Sequence, residues 1–425
     1  MLELIKYPSK KDWSEIVKRP AFDMFELEST VNSILLKVKA NGDKALFEYA
    51  ELFDKVKLSK LNVETVEIEN AINLISADLK SAIEDAYQNI YKFHNAQLEN
   101  SEKIEIKKGI TCWRQSIAIE KVGLYIPGGS APLFSTVLML GVPAKIAGCK
   151  EIVLCTPSDK DGNVHPAILF AAKLVGVTKV FKVGGAQAIA AMSFGTQTIP
   201  KVYKIFGPGN QYVTCAKQLV TKFGIAIDMP AGPSEVAVLA DKSCEPSFVA
   251  ADLLSQAEHG KDSQVMFVTD DAEVCNKIND ELVIQLNKLP RKEIAKSALV
   301  NSKAILVDNL ETGLELLNEY GPEHLIVACE NYKELIPNIT NAGSVFLGNY
   351  SCESAGDYAS GTNHTLPTNG YAKAYSGVSL DSFVKKITFQ ELSKEGLNSI
   401  SKTIEIMAQE EGLDAHKNAV TIRLK

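Results

Sequence analysis

Side chains able to do chemistry are sparse along this chain, and the histidines stand out. There are six: His94, His165, His259, His324, His364 and His416. His259 ends the run DLLSQAEHG. Gln256 precedes it by three residues, so a helix would set the Gln amide and the imidazole on one face. Both groups can bind a cation. Asp357, in SAGDYASGTNH, could add a carboxylate, and His416, in EGLDAHKNAV, a second imidazole. Such a set of nitrogen and oxygen donors suits zinc or a neighbouring divalent ion such as manganese or cobalt. Plainer readings stand beside this one. A His followed by Gly can simply finish a helix, His416 can be a surface group, and Asp357 can hold its own turn.

A second pattern is Tyr320-Gly321-Pro322-Glu323-His324, a Gly-Pro turn that opens the apolar run LIVAC. Strand ends are common sites for catalytic groups in α/β folds. His324 titrates near neutrality and could take a proton from an alcohol, and a desolvated Glu323 could activate water. The same residues also fit a capped turn. Three glycine turns follow β-like runs: Pro127-Gly128-Gly129-Ser130, Val183-Gly184-Gly185-Ala186-Gln187 and Gly207-Pro208-Gly209-Asn210. None completes GxGxxG. They present backbone N–H groups and helix N-termini to phosphate, and they equally suit tight βα connections. Cys149 and Cys155 flank the run EIVL and could supply a thiol nucleophile, though strand-flanking cysteines usually pack as small hydrophobes.

The elements that carry these residues follow a clear rhythm. Helical periodicity covers Phe25–Phe53 and Val66–Leu98. From Ile117 onward, short β-rich runs alternate with helical ones, which predicts parallel sheets covered by helices. The fold class expected is α/β: two Rossmann-like parallel-sheet domains, a helical N-terminal segment and a small helical C-terminal tail. The expected division is a helical arm at 1–24, a discontinuous α/β domain of 25–124 with 236–378, a second α/β domain at 125–235, and a helical tail at 379–425. In this scheme the first helices pack onto the second sheet. Residues 349–378 read as a long polar loop, a frequent seat of function.

Composition narrows the classes. The formal net charge of −7 argues against broad binding to nucleic acid or anionic membrane. The N-terminal MLELIKYPSKKDW lacks an apolar core, no run approaches a membrane span, and none of the eight cysteines forms a CxxC pair. A cytoplasmic protein with reduced thiols is expected. Three kinds of function remain open: a metal-dependent dehydrogenase, a metal-dependent hydrolase using Glu323 and water, and a metal- or nucleotide-binding protein without turnover.

In order along the chain, VGLYIPGGSAPLFSTVLML, VGGAQAIAA, KIFGPGN, IDMPAGPSEV, DLLSQAEHG, YGPEHLIV, NAGSVFLGNYS, ESAGDYASGTNHTLPT and EGLDAHKNAVTIR resemble histidinol dehydrogenase. With GDKALFEYAELFDK the likeness spans nearly the whole sequence. It implies a four-electron oxidation of L-histidinol to L-histidine through L-histidinaldehyde, using two NAD⁺ in turn, as the last step of histidine biosynthesis. It also implies a homodimer with one zinc per subunit. By motif, the zinc ligands are Gln256, His259, Asp357 and His416. His324 is the base for the alcohol and Glu323 activates water. Tyr125, Gln187 and Asn210 hold NAD. Ser234 and Glu411 bind substrate along with His324 and the metal ligands. The 125–235 domain is then the NAD-binding one, the discontinuous domain carries the metal and acid–base residues, and the tail reaches across the dimer.

Overall fold

The computed structural model describes residues 2–19, 24–128 and 132–425. In chain order its strands are β1 (Glu3–Lys6), β2 (Lys103–Lys107), β3 (Ile110–Ala118), β4 (Lys121–Tyr125), β5 (Glu151–Thr156), β6 (Lys179–Lys182), β7 (Lys204–Phe206), β8 (Ala226–Ile227), β9 (Glu235–Ala240), β10 (Gln264–Thr269), β11 (Lys303–Leu306), β12 (His324–Ala328), β13 (Ser344–Leu347) and β14 (Val384–Leu392). Two sheets are wholly parallel. One runs β6-β5-β4-β7-β8 and the other β1-β11-β10-β9-β12-β13. The α/β class read from the alternating pattern is therefore what the chain adopts.

Burial on both faces explains the continuous apolar runs. In β9 (EVAVLA) every residue is buried. Val236, Val238 and Ala240 join one core, and Ala237 and Leu239 the other. This is the two-residue period of a strand covered on both sides. In β5, Ile152 and Leu154 face one core while Val153 and Cys155 face the opposite one.

The N-terminal helices depart from expectation. Met24–Asn41 and Asp43–Tyr49 cover one face of the five-stranded sheet, and Thr65–Asn73 and Ala77–Asn95 cover the other. They do not pack on the second sheet. The reason lies in the partner surface. Val31, Leu35 and Val38 share a core with Ala188, Ala190 and Ala191 of helix Gly185–Phe194, whose small side chains allow close helix approach.

Two further segments expected to be helical contribute strands. Within the 1–24 arm, β1 pairs with β11, Glu3 opposite Lys303, followed by the short helix Trp13–Ile16. Within the 379–425 tail, β14 pairs antiparallel with β3 along all nine of its residues before the helices Lys394–Glu410 and Asp414–Leu424. Stacking of Trp113 on Phe389, centroids 5.3 Å apart, anchors that pairing. Among the described residues no helix is long and apolar enough to cross a membrane.

Candidate active site

Glu323 and His324 stand where helix Leu310–Tyr320 turns into β12. Gly321 caps the helix in the left-handed region at φ 62°, and Pro322 prevents its continuation. The next two side chains are thereby directed inward, and both are buried, with Glu323 6 % and His324 4 % exposed. Glu235, at the start of the neighbouring strand β9, grips the pair through its backbone. Its N–H donates to Glu323 Oε2 at 2.8 Å, and its carbonyl lies 3.1 Å from His324 Nδ1. A carbonyl only accepts, so Nδ1 carries the imidazole hydrogen. Nε2 is left with its lone pair, buried and without a hydrogen-bond partner. It faces Asp357 Oδ1 at 3.8 Å.

Around the imidazole the chain gathers acids, Glu323 and Glu353 on the Nδ1 side and Asp357 on the Nε2 side. His324, Glu353 and Asp357 each offer an atom within 4.8 Å of the others. Gln256, 1 % exposed, donates to Glu323 Oε2 at 3.3 Å. With its amide turned the other way, it donates to Glu353 and accepts from Glu235 N at 2.9 Å. Ser255 donates to Glu353 Oε2 at 2.9 Å.

Electrostatics follow from this crowding. Burial, then the charges of Glu235, Glu353 and Asp357, push the Glu323 carboxyl well above the ordinary range. Glu353 is raised likewise by burial and by Asp357, and burial lifts Asp357 to about 7. Burial lowers His324 to about 4, and the nearby charges of His364 and His259 act in the same direction. A neutral imidazole thus sits among carboxyls whose charge is poorly solvated.

The other expected residues divide by position. Tyr125, Gln187 and Asn210 all line one cleft of about 1120 Å³ at the C-terminal ends of the five-stranded sheet, together with Gly128, Gly184 and Gly185. Helices Pro166–Val175, Gly185–Phe194 and Gln211–Val220 begin at this cleft, their N-termini suited to phosphate. Tyr125 Oη accepts from Gly185 N at 3.0 Å, and burial pushes its phenol up to about 12. Asn210 Oδ1 caps its helix by accepting from Tyr212 N and Val213 N. Gly207 has φ 131°, and a Cβ there would lie 2.0 Å from the Tyr125 carbonyl, so only glycine lets this turn meet β4. Gly129 and Ser130 of the first glycine turn lie outside the described residues.

Ser234 precedes Glu235 and is partly buried. His259 is solvent-exposed at the end of helix Pro246–Ala257, close enough to influence His324 and His364 by charge. Glu411 and His416 are exposed on the terminal helical hairpin, where helix Asp414–Leu424 packs on Lys394–Glu410. Among the described residues neither side chain hydrogen-bonds to the cluster. One chain therefore joins Gln256 and Asp357 to the acid–base pair, holds His259 near, and leaves His416 apart.

Two participants escaped the sequence reading. Glu353 opens the short helix Glu353–Tyr358, and its four-residue spacing to Asp357 was a usable signal for a shared face. His364 donates from Nδ1 to the Asp357 carbonyl at 2.9 Å and takes the Thr136 hydroxyl at Nε2, 3.1 Å away. Thr136 stands one turn beyond Pro132, which lines the glycine-turn cleft, so this bond ties the cleft to the acid–base cluster. The thiol alternative loses ground. Burial pushes Cys149 up to about 12 and Cys155 higher still, which disfavours the thiolate.

Comparison with known proteins finds relatives along the whole chain. A family profile described as histidinol dehydrogenase matches residues 17–424. A histidinol dehydrogenase of Bacteroides thetaiotaomicron is 64 % identical over 424 residues, covering 100 % of this chain and 99 % of the relative. One of Vibrio vulnificus is 52 % identical over 420 residues, covering 98 % and 96 %. The crystal structure of histidinol dehydrogenase from Elizabethkingia anophelis superposes with a TM-score of 0.98 at 55 % identity, covering 100 % of this chain and 98 % of that one. Two α/β sheets, an inward-facing Glu-His pair and a likeness that runs from end to end lead to one conclusion: the chain belongs to the histidinol dehydrogenase family of oxidoreductases.

Proposed function

We propose that the protein oxidises L-histidinol to L-histidine through L-histidinaldehyde, reducing two NAD⁺ in succession, as the closing step of histidine biosynthesis. The observation that carries this reading is the His324 Nε2 lone pair, buried, unpartnered and 3.8 Å from the half-buried carboxylate of Asp357. It is a base waiting for a proton. Neutral His324 takes the proton of the substrate hydroxyl at Nε2, while its Nδ1–H stays on the Glu235 carbonyl and fixes the tautomer. Glu323, whose raised proton affinity makes it a stronger base, takes a proton from the water that hydrates the aldehyde.

Zinc fits the residues here. Glu323, Glu353 and Asp357 crowd together with little solvent, and a cation relieves the cost of their charge. Gln256, His259 and Asp357 would hold it with His416 of the partner subunit, one ion per subunit of a homodimer. The exposure of His416 and of the hairpin that bears it supports a role outside its own chain. When bound, zinc supplies a Lewis-acidic anchor for the imidazole and amine of histidinol, and NAD⁺ supplies the hydride acceptor. Ser234 and Glu411 of the partner subunit orient the substrate. Tyr125, Gln187 and Asn210 hold NAD in the cleft at the glycine turns.

The deciding experiment supplies histidinol and NAD⁺ and follows NADH. Two NADH per histidinol, abolished by chelator and restored by Zn²⁺, is expected. NADH formation that persists after metal removal overturns the zinc assignment, and no NADH at all overturns the reaction. His259→Asn, which removes a proposed ligand, is expected to lower the zinc content. Full zinc content by elemental analysis removes His259 from the ligand set.

A further inference from the structure

Beneath the acid–base pair lies a second, unexpected pair. Glu235 is 2 % exposed, and its backbone serves Glu323 and His324 simultaneously. Its side chain is held in turn by Arg19. The guanidinium uses Nε and Nη2 as a fork on the two carboxylate oxygens, the Nη2 contact at 2.8 Å. Nη2 also donates to the Tyr320 carbonyl at 2.8 Å, and the guanidinium carbon stacks 4.0 Å from the Tyr320 ring. Asn369 N completes the carboxylate's partners at 2.9 Å. Arg19 thus grips both segments whose ends form the site: the head of β9 and the turn from Tyr320 into Glu323.

We infer that Arg19 is a positioning residue for the oxidation, setting Glu323 and His324 through Glu235 and Tyr320 without touching substrate. The inference rests on the catalytic reading of Glu323 and His324 given above. The geometry calls for arginine in particular. Three acceptors and a ring face are met by one planar cation, whereas an ammonium group could satisfy one acceptor well and would lose the fork and the stacking. Without the cation, the Glu235 carboxylate would be buried beside Glu323 with its main counter-charge gone. The start of β9 would then shift or loosen, carrying with it the N–H that binds Glu323 and the carbonyl that orients His324. A displacement near 1 Å at reacting groups costs on the order of 100-fold in rate.

The test uses the full-length, zinc-loaded protein with Arg19→Ala and Arg19→Lys, measuring kcat and KM for histidinol and NAD⁺. Arg19→Ala is expected to lower kcat by roughly 100-fold while both KM values stay within about threefold, as for a misplaced base rather than a lost binding contact. Methylguanidinium added to Arg19→Ala is expected to restore part of kcat and to leave the parent unchanged. Arg19→Lys, which keeps a cation against Glu235, is expected to fold and still fall several-fold short in kcat. The inference is overturned if folded Arg19→Lys turns over like the parent, or if the loss in either variant lies wholly in KM. Should Arg19→Ala fail to fold, the lysine variant decides alone. A parent protein that forms no NADH from histidinol overturns the functional reading instead, and that control separates the two failures.

Discussion

Glu323→Gln is expected to slow the conversion of histidinaldehyde by about 10²- to 10⁴-fold while slowing alcohol oxidation far less. The amide keeps the shape of the carboxyl and can still accept the Glu235 N–H, so the surrounding bonds survive. What disappears is proton affinity. In the parent, burial and three neighbouring carboxylates make Glu323 hold a proton well above the ordinary carboxyl range. A carboxylate can take a proton from water, and an amide cannot. His324→Ala is the complement: its larger loss is expected in the first oxidation, because no other described group offers a buried, unpartnered imidazole nitrogen. Supplying histidinol and histidinaldehyde separately and following NADH in single turnovers gives both rates. Normal aldehyde oxidation by Glu323→Gln would remove that residue as the water-activating base.

Lys217→Met is expected to destabilise the protein by about 3–5 kcal/mol, the usual cost of stranding one member of a buried ion pair. Lys217 and Asp228 are 4 % and 1 % exposed, and their charged atoms are 2.5 Å apart. Lys217 Nζ also donates to the Gly207 carbonyl, while Asp228 accepts from Gly207 N, both at 2.8 Å. The pair therefore fastens the glycine turn that ends in Asn210 from both sides. Its removal should lower the urea midpoint and loosen the cleft proposed to hold NAD together. Met at 217 combined with Asn at 228 should recover part of the loss, since no buried charge is then left alone. An unchanged midpoint in Lys217→Met would show that the carboxylate finds another partner.

Much of this architecture was readable because local and tertiary signals agree. The β9 and β5 runs are apolar throughout, as strands buried on both faces must be, and the Gly-Pro turn before Glu323 marks a helix end without ambiguity. What misled was information held elsewhere in the chain. The Glu3–Lys6 run, ELIK, is strand only because Lys303–Leu306 offers an edge some three hundred residues away. The helices of residues 24–95 have apolar stripes that either sheet could cover, and the choice is made by the small alanines of Gly185–Phe194. Glu353 reads as a loop carboxylate, and it becomes buried only when its short helix docks on helix Pro246–Ala257. Arg19 lies outside every motif quoted and Glu235 stands unremarked within IDMPAGPSEV, and their pairing across 216 positions is invisible without the fold.

The N-terminal arm also has a consequence for how the chain matures. Residues 3–19 leave the ribosome well before their partners at Glu235, Lys303–Leu306 and Tyr320. At common elongation rates of 5–20 residues per second, the arm waits on the order of tens of seconds for them. The five-stranded sheet, complete by Ile227, can gather well before that moment. The contacts that position Glu323 and His324 thus form only after Tyr320 has been made, later than the strands of the five-stranded sheet.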